Sequence, residues 1–187
     1  MRLENSFEVP ASVEQSWRLL NDVPSVVPCL PGAELVEVVG EDAWKAKLHV
    51  KLGPIALQFL ADVVRQERDE SAGRVLLGVK ARESKGRGSA EATIESTLTA
   101  ADGGTRVGLV TELALRGAVA QYGRGVVGDV ASRLTADFAD CLRGKLAEPE
   151  SPAAAPASPE PVPVVRLVLA ALRHALLRRG RHERVVP

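Results

Sequence analysis

Residues 2–9 alternate strictly. Leu3, Asn5, Phe7 and Val9 fall on one side, and Arg2, Glu4, Ser6 and Glu8 on the other. Successive side chains of a strand point to opposite faces, so this segment predicts a half-buried strand. The same period returns along the chain. One inward series is Trp44, Ala46, Leu48, Val50 and Leu52, interleaved with Lys45, Lys47, His49 and Lys51. Others are Ile55, Leu57, Phe59, Ala61 and Val63; Val75, Leu77, Val79 and Ala81; and Ala90, Ala92, Ile94, Ser96 and Leu98. After the Asp102-Gly103-Gly104 turn come Val107, Leu109, Thr111, Leu113 and Leu115. Residues 33–40 supply a shorter strand, which brings the predicted total to seven. Each strand is apolar on one face and polar on the other, as in an antiparallel sheet covered on one side.

Two segments break this period. Ser12 followed by Gln15 reads as a capping box that opens a helix running to about Asn21. Pro24, Pro28 and Pro31 then allow only a short broken helix before Gly32. Over residues 118–146 the spacing changes to three and four: Val119, Tyr122, Val126, Val130, Leu134, Phe138 and Leu142 form one stripe. That predicts a long amphipathic helix. The expected class is α+β: a curved seven-stranded antiparallel sheet wrapped on a long C-terminal helix, with two short helices after the first strand. The long helix is the only element large enough to cover the concave face.

Beyond it, residues 147–163 hold six prolines in 17 positions and read as a disordered linker. At roughly 3.1 Å per residue it spans up to about 50 Å. Residues 164–187 form a basic amphipathic tail. The expected organisation is therefore 1–146 globular domain, 147–163 linker, and 164–187 tail.

Charge sharpens the division. The formal net charge is zero, yet residues 1–150 carry 18 Lys+Arg against 22 Asp+Glu. The remainder carries Arg166, Arg173, Arg178, Arg179, Arg181 and Arg184 against Glu160 and Glu183. Such a split gives the tail its own electrostatic partner. With acidic residues in excess over residues 1–150, nucleic acid is not an expected partner. Aromatic residues make up only 3% of the chain, so the core must be built of Val, Leu and Ala. Cys29 and Cys141 are far apart and in no metal spacing, which reads as two unpaired thiols of a reduced cytoplasmic protein. MRLENSFEVP contains no apolar stretch of the kind a signal peptide needs.

Local sequence adds a resemblance. The stretches LENSFEVPASVEQSWRLLNDVPSVVPCLPGAE, VKLGPIALQF, GRGSAEATIESTL and LRGAVAQYGRGVVGDVASRLTADFADCL resemble the G-subunit family of carbon monoxide dehydrogenase, within the START-like (Bet v 1-like, SRPBCC) superfamily. The likeness covers residues 1–146. Its most specific parts are Leu30-Pro31-Gly32, Gly53-Pro54-Ile55 and Gly86-Arg87-Gly88-Ser89-Ala90. It implies a helix-grip fold, an accessory role beside a molybdenum hydroxylase such as carbon monoxide dehydrogenase, and attachment of that enzyme to the membrane.

The residues themselves argue for binding rather than catalysis. His49 lies on the lysine-bearing face of its strand, and His174 and His182 lie in the tail. None has a partner at the spacing of a triad or metal site, so neither a catalytic residue nor a metal is expected. The Gly86–Gly88 pair lacks the following helix and Lys-Ser/Thr of a phosphate loop. The expected cavity lining is Leu52, Ile55, Leu57, Phe59, Ala92, Thr111, Leu113, Leu115, Tyr122, Val126 and Val130. Asn5, Ser96 and Thr111 are polar on the inward face, where they serve either an internal hydrogen-bond network or a ligand oxygen. Gly123, Gly125 and Gly128 weaken the long helix, either to allow close packing or to leave a movable cavity mouth.

In the tail, Leu167, Leu169, Leu172 and Leu176 are expected to meet the membrane with Arg178, Arg179 and Arg181. Residues 164–179 would give a helix of about 24 Å, short of the roughly 30 Å hydrocarbon core, and two arginines interrupt the run. An interfacial helix fits better, and a helix docked on a protein groove is the rival. Three functional readings follow. The first is a non-enzymatic carrier of a lipophilic molecule, menaquinone or another isoprenoid quinone, peripheral on the inner face of the cell membrane. The second is a pure tether without ligand. The third is a hydrolase or cyclase on the same scaffold.

Overall fold

The computed structural model describes residues 1–52 and 55–147. The expected linker and tail therefore lie outside the described residues, apart from Ala147. The described elements are β1 (Arg2–Val9), α1 (Val13–Asn21), α2 (Val23–Val26), β2 (Ala33–Gly40), β3 (Ala43–Leu52), β4 (Ile55–Asp69), β5 (Arg74–Glu83), β6 (Gly88–Ala101), β7 (Gly104–Gly117) and α3 (Gly123–Ala147). Short 3-10 turns precede β2 (Val27–Cys29) and α3 (Ala118–Tyr122). The seven strands form one sheet in the order β1-β7-β6-β5-β4-β3-β2, antiparallel throughout. This is the α+β helix-grip arrangement that the sequence predicts.

Local chemistry explains the boundaries. The Ser12 side chain accepts from the Gln15 N–H at 3.2 Å, while Gln15 Oε1 accepts from the Ser12 N–H at 3.3 Å, completing the capping box. Asp22 caps α2 by accepting from the Ser25 N–H. The β6–β7 turn needs Gly103, whose φ is +84°. A Cβ on Gly104 would lie 2.1 Å from the Val9 carbonyl oxygen, so β1 passes this turn only because the position is bare.

Apolar packing is concentrated at two places. The larger core joins Phe7, Val9, Val75, Leu98 and Val107 of the sheet to Trp17, Val26, Cys29, Ala139 and Leu142. Phe138 packs edge-on against Phe7, ring centroids 6.1 Å apart. The smaller core joins Leu57, Phe59, Ala81 and Val119, with Ala61, Ala90, Leu115 and Tyr122 packed against it.

Three details depart from the sequence reading. The long helix does not begin at residue 118: a 3-10 turn runs to Tyr122, and α3 starts at Gly123, whose φ is +72°. A 3-10 turn has three residues per turn rather than 3.6, so the stripe loses its phase across it. Val126 is accordingly 43% exposed, and Val127 is the more sheltered neighbour. Second, an added Cβ at Gly123, Gly125 or Gly128 would meet nothing within 4 Å, so close packing does not account for these glycines. Third, the cysteines are not unpaired thiols. Cys29 and Cys141 are joined in a disulfide, with Cα atoms 5.3 Å apart across 112 residues of sequence. The larger core brings the end of α3 onto the 3-10 turn before β2, and long sequence separation hid the pairing.

Closing so long a loop restricts the unfolded chain. Reduction should therefore lower stability by about 2–4 kcal/mol. Denaturant melts with and without reductant check this, and a Cys29→Ala/Cys141→Ala double variant should melt alike under both conditions.

Candidate functional site

The inward side of the sheet is largely apolar, and its two packed cores lie toward the ends. Cross-strand rows make this explicit. Phe7, Val107 and Leu98 form a row in the larger core. Leu115, Ala90, Ala81 and Ala61 form a row at the smaller core, continued by Ala46. Between them run Leu113–Ala92–Val79–Val63 and Thr111–Ile94–Leu77. Leu77 reaches the larger core, but Leu113, Ala92, Val79, Val63, Thr111 and Ile94 belong to neither core and are only half-buried. On α3, Val127, Val130 and Leu134 are likewise half-buried and outside both cores.

The reason lies in how α3 is held. Its last turns are buried through Ala139 and Leu142 and fixed by the disulfide. Its side chains also reach the edge strand. Ser132 Oγ donates to Asn5 Oδ1 at 3.2 Å, Arg143 Nε to the Glu8 carbonyl at 2.9 Å, and Arg124 Nη2 to the Arg2 carbonyl at 3.1 Å. The helix thus follows β1 at the sheet's edge. With alanines on the facing strands and few aromatics, an apolar band is left half-buried between the two cores.

The sequence-predicted lining divides accordingly. Ala92, Thr111, Leu113 and Val130 lie in the band. Leu57 and Phe59 are buried in the smaller core, with Leu115 and Tyr122 against it. Ile55, at the start of β4, is 36% exposed, as Val126 is at 43%. Leu52 pairs with Ile55 in register, and its side chain lies outside the described residues. Val63, Val79 and Ile94 were legible as inward residues yet absent from the expected lining. Of the inward polar residues, Asn5 serves the structural bond to Ser132, whereas Ser96 and Thr111 make no side-chain hydrogen bond to the described residues.

Three inward charges went unread. Arg65 continues the inward series of β4, and a bulge between Arg65 and Glu67 turns Arg68 to the inner face as well. The Arg65 side chain, 7% exposed, donates from Nε to Asp42 at 2.6 Å and from Nη1 to Asn21 at 3.2 Å, and its guanidinium lies 5.3 Å from the Trp44 ring centroid. It ties α1 to the β2–β3 turn. Glu83 continues the inward series of β5 and is 4% exposed. Its carboxylate accepts from Arg87 Nη2 at 2.9 Å, the Arg87 N–H at 3.0 Å and the Lys85 N–H at 2.9 Å. The signal for Glu83 was present, since the alternation of Val75, Leu77, Val79 and Ala81 leads directly to it.

An open groove of about 620 Å³ runs along the outer-face residues Asp62, Lys80, Glu91 and Glu112, and its lining also includes Val79, Ala92 and Leu113 of the band. Its charges of both signs suit water rather than an apolar ligand. Among the described residues, no group of three or more His, Cys, Asp or Glu is placed to hold a metal.

Comparison with known proteins fixes the family. The family model of the carbon monoxide dehydrogenase G subunit (CoxG) matches residues 6–147. The chain belongs to the CoxG family. A conserved protein from Geobacillus kaustophilus is 25% identical, with a TM-score of 0.70, covering 79% of this chain and 95% of its own. The Zhui aromatase/cyclase of a Streptomyces species shares the fold at 15% identity and a TM-score of 0.57, over 78% of this chain and 93% of its own. A Mycobacterium smegmatis protein does so at 18% and 0.57, over 78% and 90%. A comparison with curated proteins finds no match. Among the described residues, no helix of this CoxG-family chain is long and apolar enough to cross a membrane.

Hydrogen bonds from Arg87 are the largest cause that lowers the Glu83 pKa from 4.5 to about 2, with the two backbone N–H groups assisting. The folded pKa is below the unfolded one, so this stabilisation is present above about pH 4.5 and lost as pH falls toward about 2. Acid titration of the melting temperature should show that loss. In Glu83→Gln the protein should be less stable at neutral pH, and this part of the acid slope should be missing.

Proposed function

We propose that this protein is a non-enzymatic accessory of a carbon monoxide dehydrogenase-type molybdenum hydroxylase. It binds a lipophilic small molecule on the concave face of its sheet and links the enzyme to the membrane surface. The observation that carries the binding part is the half-buried apolar band between two packed cores, centred on Ala92, Ile94, Thr111 and Leu113. Pockets for small lipophilic ligands are apolar with a few placed polar groups. The partner is supported by the family's description as a component of that dehydrogenase. A redox enzyme with no membrane part of its own needs an electron outlet, and menaquinone or another isoprenoid quinone would supply one.

The tail supports the membrane part. Leu167, Leu169, Leu172 and Leu176 would enter the acyl boundary, and Arg178, Arg179 and Arg181 would meet anionic headgroups at about 1 kcal/mol each. A pure tether is the second reading. An enzyme is the third, prompted by the aromatase/cyclase that shares the fold.

Two measurements test this. Lipid extraction and mass spectrometry of the purified protein should yield a stoichiometric lipophilic compound, whereas a tether yields none. Ala92→Phe should then reduce its uptake while the melting temperature holds or rises, because the ring enters unfilled space. In a dense core the same change would cost about 1–3 kcal/mol, and a large loss would leave the tether in the lead.

For the tail, the full chain should bind anionic vesicles more tightly than zwitterionic ones, with binding weakened by salt. Replacing Arg178, Arg179, Arg181 and Arg184 by Ala should reduce binding. Equal affinity for both vesicle types would point to a protein partner.

A further inference from the structure

The connections between strands fall at two ends of the sheet, and charge divides them. At one end lie the β2–β3, β4–β5 and β6–β7 turns, residues 41–42, 70–73 and 102–103. They hold Glu41, Asp42, Glu70 and Asp102 and no Lys or Arg. At the other end Leu52 of β3 pairs with Ile55 of β4, beside the β5–β6 turn (84–87) and the 3-10 turn before α3 (118–122). These two turns hold Lys85 and Arg87 and no carboxylate.

Arg87 is neutralised by Glu83, but four exposed cations around it are not. Lys51 stands opposite Ala56, whose carbonyl accepts from Arg87 Nη2 at 2.8 Å. Arg82 and Arg116 flank Ser89 in register on the outer face, and Lys85 lies in the turn itself. None of Lys51, Arg82, Lys85 and Arg116 makes an ion pair with the described residues. Along the sheet from this end, the first exposed carboxylates already face other cations. Glu34 is 3.8 Å from Lys47 Nζ, and Glu91 is in register with Lys80.

Residues 1–150 carry 22 acidic against 18 basic residues, so as one lumped charge the domain would be repelled by an anionic surface. Distance removes that objection. β6 and β7 each have 14 residues, which at roughly 3.3 Å per residue puts about 45 Å between the two ends. Physiological salt screens charges over about 8 Å. A surface meeting the basic end does not feel the acidic one.

Spacing selects the partner. Arg82 and Arg116 are two strands apart, about 10 Å, so they do not converge on one anion. They suit a surface that carries many. Apolar side chains are presented at the same end: Ile55 at the start of β4 is 36% exposed, and Val126 in the first turn of α3 is 43% exposed. An acidic protein surface would answer the cations alone, whereas the boundary of a bilayer answers both.

We propose that this end of the globular domain is itself a membrane-docking surface for an anionic bilayer. Lys51, Arg82, Lys85 and Arg116 meet the headgroups, and Ile55 and Val126 reach the acyl boundary. This rests on the membrane part of the reading above and goes beyond it. The tail alone would leave the domain hanging in any orientation, and this surface gives it one.

The test uses the full-length protein and vesicles of phosphatidylcholine mixed equally with phosphatidylglycerol, some with brominated acyl chains. Trp17 and Trp44 are buried, so they supply an unquenched background. A tryptophan in Ile55→Trp should be quenched by bromine, and one in Asp102→Trp, at the acidic end, should not. Replacing Lys51, Arg82, Lys85 and Arg116 together by Ala should weaken cosedimentation at least about tenfold, since each cation near such a surface is worth about fivefold. Replacing Glu41, Glu70 and Asp102 by Ala should leave it unchanged.

If the protein binds but neither new tryptophan is quenched, or both are quenched equally, the surface is wrong and the tail reading stands. Tighter binding on neutralising the acidic end would make net charge the cause and overturn the proposal. Should the four-alanine variant bind vesicles as wild type does, yet lose a co-purifying acidic protein, the surface is a protein interface instead. A wild type that binds no vesicle ends the membrane reading and this surface with it. If the four-alanine variant melts far below wild type, the two tryptophan positions alone decide.

Discussion

A single register governs the molecule. Phe7, Val107 and Leu98 stand side by side across β1, β7 and β6, and the other inward residues of these strands are counted from them in steps of two. Val107 and Leu142 are each 1% exposed, and burial of such side chains is worth about 1.5–3 kcal/mol apiece. The last turns of α3 are anchored on that row, with Phe138 edge-on to Phe7 and Cys141 bonded to Cys29. A slip of one residue in β1 would turn Phe7 and Val9 to water and remove the floor on which α3 rests.

That anchor leaves much of the concave face uncovered. A single helix, fixed at its C-terminal end and tied to the edge strand by Arg124, Ser132 and Arg143, cannot also fill the space above five neighbouring strands. Larger side chains on the sheet would fill it. Instead the rows beside the band hold Ala46, Ala61, Ala81 and Ala90, and Ala92 stands in the band itself. The glycines at the start of α3 have open space around them, which makes this half of the helix the less supported one. Small side chains and an unsupported helix start are two consequences of the same arrangement, an interior held open between two closed ends.

The closed ends differ in chemistry. One is sealed by α1, α2 and the disulfide, with Arg65 and Arg68 stacked on Trp44 and Trp17 at 5.3 and 5.8 Å from the ring centroids. All the hydrogen bonds of Arg65 close on protein atoms of α1 and the β2–β3 turn. The other is sealed by Glu83, Arg87 and the 3-10 turn, and each end holds buried donors without a partner among the described residues: Ser16 Oγ and Trp17 Nε1 at the first, Arg87 Nε at the second.

Much of this was legible in the chain. Seven strands, the capping box at Ser12, the broken helix through Pro24 and Pro28 and the long final helix all follow from local periods, because side-chain direction in a strand or helix is set by the backbone alone. The inward identity of Ala92, Thr111 and Leu113 came the same way. What periodicity could not give is the distance between surfaces that sequence holds far apart. It did not reveal that Cys29 meets Cys141, that a bulge turns Arg68 inward, or that a 3-10 turn shifts the phase of α3 and exposes Val126. Nor did it show which inward residues are packed and which face empty space. Local chemistry determined the elements and their faces; only the tertiary structure decided where α3 would rest, because that depends on one core being packed and another part of the same apolar face being left unfilled.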